Sequence, residues 1–260
     1  MRVHHLNCGT LRPPGVRGGL VCHVLLIETD AGLVLVDSGF GLRDIADPAT
    51  RVGPIRHLVR PALDPDETAV HQVRALGHAP QDVRHIVLTH FDGDHAGGLA
   101  DFPDAHVHVT GAEADAARNP SGRLERARYR PSVREHRMTL VPHTPRDSEA
   151  WRGFPSATEL TEVAAGIVLI SLPGHSRGHA AVAVDAGERW VLHVGDAFYG
   201  HAQLTGGARG LAAAEALVAH DRRRVRANHT RLRELWTSPE PDLLMVNAHD
   251  PALLRAARSA

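Results

Sequence analysis

The first forty positions alternate short apolar runs with turn residues. Residues 20–29 are rich in Val, Leu and Ile, Asp30-Ala31-Gly32 reads as a turn, and 33–36 pair back as a hairpin that Asp37-Ser38-Gly39 ends. Residues 41–64 show no clear period and read as loop or short helix. Asp64-Pro65-Asp66-Glu67 opens a helix, with Asp64 as cap and Pro65 at the first position, and Gly77 stops it after about Leu76. Residues 83–88 form a short buried strand, 96–102 begin a helix, 106–109 form a strand, and a helix starts near Ala112.

From about 116 to 161 the aliphatic pattern fades into Arg and Pro, which predicts a helical lid or arm inserted in a single domain of 1–260. Apolar runs then return as strands at 167–171, 180–185, 189–194 and 242–247, with a helical zone at 211–237 and a short final helix. Strand pairs followed by helices occur twice. That order predicts an α/β fold with two sheets sandwiched between helices.

Composition narrows the possibilities without deciding among them. Apolar residues make up 43 % and charged residues 23 % of 260, ordinary for one globular domain. The net charge of −1 gives no field for nucleic acid or anionic membranes. All 29 basic residues are Arg, a coding bias rather than a binding requirement, and the Arg-rich stretches 123–137 and 222–233 read as solvated helix faces. The two cysteines, Cys8 and Cys22, match no zinc spacing and read as reduced core thiols. The first residues lack a signal-peptide pattern and no apolar run approaches the roughly 18 residues of a membrane span, so a cytoplasmic location is expected.

The 20 histidines change the picture, because imidazole is the commonest neutral metal ligand. His90, Asp92, Asp94 and His95 fall within six residues just past the 83–88 strand, with Gly93 permitting a tight path. Two imidazoles and two carboxylates exceed what one tetrahedral ion takes, which favours two metals. Three further candidates follow strands: His175 after a Pro-Gly turn, Asp196 after Gly195, and His249 after residues 243–248. Loops at strand ends are where active sites usually lie.

The order of these clusters resembles the metallo-β-lactamase superfamily, over nearly the whole chain from Asp37 to His249. The family motif H-x-H-x-D-H reads H-x-D-x-D-H here, so Asp92 stands where a second His is expected. The resemblance implies a four-layer αββα sandwich. It also implies a dinuclear centre: His90, Asp92 and His175 on one ion, Asp94, His95 and His249 on the other, and Asp196 bridging. Asp37 resembles the D-x-G turn that orients a ligand histidine. The nearest branch is lactonase and glyoxalase II-like, since Asp196-Ala197-Phe198-Tyr199 resembles the D-x-x-Y segment whose Tyr points at the substrate carbonyl.

The implied activity is hydrolysis of a lactone, carboxylic ester or thioester in a small molecule by a bridging hydroxide, with Asp94 relaying the proton and Tyr199 stabilising the oxyanion. The expected cofactors are two divalent ions, zinc first, with iron or manganese suited to the Asp92 position. Three Asp, two divalent ions and a hydroxide sum to zero charge, where the usual His leaves +1. Alternatives are a diiron redox protein of the flavodiiron-like type and a phosphodiesterase or nuclease of the same fold. No nucleic-acid or membrane partner is expected, and the chain is expected as monomer or homodimer. His179 is assigned a supporting role and His193 a sheet-facing one. His106 and His108 are read as surface or core, and His5, His85, His136 and His143 sit in no ligand pattern.

Overall fold

The computed structural model describes residues 1–134, 138–145, 149–238 and 240–260, so His136 lies outside the described residues. Strands β1 (Arg2–Leu11), β2 (Leu20–Thr29) and β3 (Gly32–Val36) form an antiparallel meander. To β3 are added, all parallel, β4 (Val83–Val87), β5 (His106–Thr110) and β6 (Thr139–His143). The first sheet therefore runs β1-β2-β3-β4-β5-β6. Between these strands lie α1 (Leu42–Ala46), α2 (Arg56–Val59), α3 (Ala69–Ala75), α4 (Gly93–Ala96), α5 (Gly111–Arg118), α6 (Gly122–Arg128) and α7 (Pro131–Arg134).

The second sheet is assembled from β7 (Ala157–Glu159), β8 (Ile167–Ser171), β9 (Ala180–Asp185), β10 (Trp190–His193) and β11 (Leu243–Val246), in the order β11-β10-β9-β8-β7. Helices α8 (Arg209–Val218), α9 (Arg222–Thr237) and α10 (Pro251–Arg258) complete the chain.

Alternation along the strands sorts side chains into three apolar layers. Leu25, Ile27, Val34 and Val36 face Ile167, Leu169, Val182 and Val184 across the gap between the sheets. The opposite face of the first sheet, through Leu26, Leu35, Ile86 and Val107, packs on Val70 and Val73 of α3 and on Ala114 of α5. The outer face of the second, through Ile170, Ala183 and Leu192, packs on Leu232 of α9. The result is helix, sheet, sheet, helix. Both sheets are buried on two faces, which is why β2 and β3 read as nearly continuous apolar runs. Truncating a fully buried Ile27 to Ala removes about 2–5 kcal/mol.

Several local expectations shift. The helix expected from Asp64 to Leu76 is broken: a 3-10 turn, Pro65–Glu67, capped by Asp64, stops at Thr68, whose extended backbone then opens α3. Glu67 leaves the helical path because its carboxylate receives the Thr10 backbone N–H at 2.7 Å. The helix expected at 96–102 begins earlier, at Gly93 after the N-cap Asp92, and continues as a 3-10 stretch, Gly97–Asp101. Within 116–161, expected as a helical arm, α6 and α7 are joined by β6 and β7, which supply an edge strand to each sheet. Among the described residues no helix is long and apolar enough to cross a membrane.

Candidate metal centre

The strands β3, β4, β8, β10 and β11 all end toward one rim, and the loops leaving them carry the candidate residues. All seven predicted metal-site residues come together there. His90, Asp92, His175 and Asp196 form one group whose ligand atoms lie within 4.8 Å of each other, and His95, Asp196 and His249 form a second. Asp94 adjoins the second group, its carboxylate 3.6 Å from His249 Nε2 and 4.0 Å from His95 Nε2. Asp196 belongs to both. Its Oδ2 lies 3.8 Å from His90 Nε2 and 3.6 Å from His175 Nε2, and its Oδ1 lies 3.1 Å from both His95 Nε2 and His249 Nε2.

The fit to cations shows in the outer side of three of the four imidazoles, His175 Nδ1 being buried without a hydrogen-bond partner. His249 Nδ1 donates to the Val21 carbonyl at 2.8 Å, and His95 Nδ1 donates to Asp37 Oδ2 at 2.8 Å. Thr89 Oγ donates to Asp37 Oδ2, so it accepts from His90 Nδ1 at 2.9 Å. In all three Nδ1 carries a proton and Nε2 is turned inward, the atom a cation would take in exchange for any proton held there. His90 Nε2, His95 Nε2 and Asp196 Oδ1 are buried with no hydrogen-bond partner, even though His95 Nε2 and Asp196 Oδ1 are close. Atoms that face the same point rather than each other, at separations near the about 3.3 Å between ligands on a tetrahedral ion, suit a shared cation.

Local backbone holds these loops. Asp37 has a left-handed φ of 59° and accepts the Thr89 N–H at 2.8 Å, which ties the end of β3 to the end of β4. Gly195 has φ +52°, and a Cβ there would sit 2.7 Å from His179 Nε2 and 2.9 Å from Thr89 Cβ. Only glycine fits that turn. His179 spends both nitrogens on the backbone: Nδ1 donates to Leu172 O at 3.0 Å and Nε2 accepts the Asp196 N–H at 3.0 Å. It therefore braces the Asp196 turn and has no nitrogen left for a metal.

Two residues with a part in the site escaped the sequence reading. Arg128, assigned to a solvated helix face, is buried, with its Nε 2.9 Å from Asp92 Oδ1 and Nη1 donating to the His175 carbonyl at 2.6 Å. The last turn of α6 lies against the site instead of solvent because Arg128 also binds the Val218 carbonyl at 3.0 Å. Glu113, fully buried at the start of α5, accepts the Phe91 N–H at 3.1 Å through Oε1. Its Oε2 accepts Ser176 Oγ at 2.7 Å and the Gly178 N–H at 2.9 Å, clamping two candidate loops together.

Charges within this buried pocket are strongly coupled. Burial would raise the Asp92 carboxyl, but the Arg128 guanidinium and His90 hold it well below the usual range. Burial likewise opposes ionisation of Asp196, and the surrounding His249 and His95 imidazoles override it. Burial would lower His249, yet the Asp196 and Asp94 carboxylates carry it to about 9. His175, by contrast, is lowered to about 4 by burial and by Arg128, so it is neutral and ready to ligate. Arg128 places a positive charge beside Asp92 that nothing local in the sequence announces.

Tyr199 lies on the same wall, its ring edge-on to His249 with centroids 5.3 Å apart. Burial and Asp196 raise its hydroxyl well above the usual value, so it is a donor at neutral pH. A cavity of about 800 Å³ opens over Asp92, Asp94, Asp196, Tyr199, Arg128 and His249. Its outer walls are apolar, and include Leu11, Leu20, Phe40, Val52 and Leu211. Ile55, Leu58, Leu124 and Leu217, four of the five large apolar side chains exposed on the described residues, also line it.

Comparison with known proteins agrees with this arrangement. The chain belongs to the metallo-β-lactamase superfamily, whose family model matches residues 17–249. It is 54 % identical over 261 residues to a probable metallo-hydrolase of Mycobacterium tuberculosis, covering 99 % of this chain and 83 % of that one. It is 25 % identical over 182 residues to an N-acyl homoserine lactonase of Bacillus thuringiensis subsp. kurstaki, covering 70 % of this chain and 65 % of the other. A solved N-acyl homoserine lactone hydrolase, with N-hexanoyl-L-homoserine bound at its catalytic metal center, superposes with a TM-score of 0.70 at 20 % identity, over 98 % of this chain and 95 % of that one. The chain is thus a metal-dependent hydrolase of that superfamily with the αββα fold, related to lactonases.

Proposed function

We propose that the protein opens a lactone, or cleaves a carboxylic ester or thioester, in a small molecule bearing an apolar chain. The observation that carries this reading is the Asp196 carboxylate, set between the two groups: Oδ2 lies 3.8 Å from His90 and 3.6 Å from His175, Oδ1 lies 3.1 Å from His95, and His249 Nε2 is within 3.2 Å of both oxygens. His90, Asp92 and His175 would hold one divalent ion, and Asp94, His95 and His249 the other. Zinc is the first choice, and the hard Asp92 oxygen admits iron or manganese. Such a pair, when bound, brings the pKa of a shared water toward neutrality and polarises a carbonyl.

The chain's own groups do the rest. Tyr199 Oη, protonated, donates to the carbonyl oxygen as negative charge develops there. Asp94, about a quarter exposed at the cavity floor, carries a proton to the departing alkoxide or thiolate. Arg128 holds Asp92 and the His175 loop in place. The apolar walls remove an acyl chain from water, at roughly 0.8 kcal/mol per buried CH₂.

The testing experiment is a hydrolysis panel of lactones with short and long acyl chains, thioesters, aryl esters and phosphodiesters. Lactone turnover with a KM that falls as the acyl chain lengthens is expected. Preference for a phosphodiester, or indifference to chain length, would overturn the reading.

A further inference from the structure

A second histidine cluster lies where the edge strand β6 and the β7–β8 turn meet and shares no residue with the centre above. His108 on β5 and His143 on β6 come from the first sheet, and Glu162 comes from the turn between β7 and β8 of the second. His108 is 1 % exposed, and the His143 side chain is 12 % exposed. His108 Nδ1 is 2.9 Å from His143 Nε2 and 3.9 Å from Glu162 Oε1, and His143 Nε2 is 3.5 Å from the same oxygen. We propose that His108, His143 and Glu162 bind a divalent cation, zinc first, that fastens the edge of one sheet to the other.

Ligand atoms on a tetrahedral zinc, at about 2.0–2.1 Å from the ion, stand about 3.3 Å apart. The three separations here bracket that value, so one ion fits on the open side of the triangle with its fourth position left for water. The donor set of two imidazoles and one carboxylate suits zinc and related borderline cations.

The tautomers close consistently as well. With Nδ1 on the ion, His108 carries its proton on Nε2, which donates to His85 Nδ1 at 2.9 Å. That is the outer hydrogen bond a ligating histidine ordinarily makes. A pure hydrogen-bond chain, His85 to His108 to His143, is the competing arrangement. In it the Glu162 carboxylate stands 3.5 Å from His143 and 3.9 Å from His108, close to both imidazoles and hydrogen-bonded to neither, where a shared cation would engage it.

The placement gives the ion a structural task. Among the described residues β6 closes one edge of the first sheet, paired with β5 alone, and β7 closes an edge of the second. A cation held by β5, β6 and the β7–β8 turn would cross-link both edges at the margin of the inter-sheet core.

The test counts zinc. Protein stripped by chelator is reloaded, freed of excess metal and subjected to elemental analysis, alongside His143→Gln and the half-exposed Glu162→Gln. The wild-type chain should hold one equivalent more than either variant and should melt at a higher temperature after reloading. Ester hydrolysis should be the same in all three. His85→Phe should weaken uptake of that equivalent roughly 10- to 100-fold. Because the readout is a difference between chains, it holds whatever number of ions the other centre takes and whatever substrate it turns over. Equal zinc content in the wild type and both variants, each folded by circular dichroism, would overturn the proposal, as would an extra equivalent that both variants retain.

Discussion

Arg128 Nε lies 2.9 Å from Asp92 Oδ1, while the other oxygen of that carboxylate faces His175 Nε2 at 3.0 Å. One carboxylate thus stands between a fixed cation and the candidate metal position. Where the motif it resembles has a neutral imidazole, the sequence here has an Asp, and the structure sets an Arg beside it with the opposite charge.

Removing the cation should therefore be felt as charge. Arg128→Gln leaves Asp92 uncompensated, so a metal-activated water should ionise less readily. The pH–rate profile should move to higher pH by about one unit, with kcat near pH 7 down by roughly tenfold. Restoring the neutral ligand as well, in Asp92→His/Arg128→Gln, should return the profile toward the wild-type position. Strictly additive effects in that double-mutant cycle would show that the two residues do not act together.

Tyr199→Phe separates a chemical role from a packing one. If the hydroxyl stabilises the developing oxyanion, kcat should fall by tenfold or more, at least about 1.4 kcal/mol, with KM little changed. Unchanged kcat would leave the ring only a packing role, edge-on to His249 and His175.

The turn before Asp196 should resist substitution. In Gly195→Ala the new methyl meets His179 Nε2 at 2.7 Å on a backbone with φ +52°. A loss of about 1–3 kcal/mol is expected from the backbone alone, read as a lower denaturation midpoint. The same variant should bind metal more weakly, since His179 braces the Asp196 N–H.

Much of this was legible in the sequence, and the exceptions have physical causes. Strands buried on both faces leave apolar runs too continuous to miss, and β2, β3, β8, β9 and β10 fall within a residue or so of the expected spans. The seven candidate residues were legible because each follows a strand end, a local feature. Arg128 was not, because an Arg whose side chain is covered looks in sequence like its solvated neighbours among the 29 until α6 is seen against Val218. Glu113 sits three residues after Thr110, as in a helix-capping pair, and nothing local tells that its carboxylate reaches instead to residues 91, 176 and 178. The break at Thr68 was hidden for the same reason, since Glu67 answers a backbone N–H 57 residues away.

Acid should destabilise the metal-free protein in a predictable window. Burial and the nearby His193 lower His5 from 6.5 to about 4, and its Nδ1 is paired with His23 Nε2 at 2.9 Å. The unfolded chain then binds this proton first, so the contribution is complete above about pH 6.5 and is lost as pH falls through about 4. Denaturant midpoints should fall across that window, and less steeply for His5→Gln. A parallel decline in both proteins would remove His5 from the account.

The most direct measurement follows activity against metal loading. In a Glu162→Gln background, which removes the proposed edge site from the count, stripped protein should be inactive toward a long-chain acyl lactone and recover fully with two equivalents of zinc. Hydrolysis that survives stripping, or that is complete at one equivalent, would contradict a two-metal centre built on Asp196.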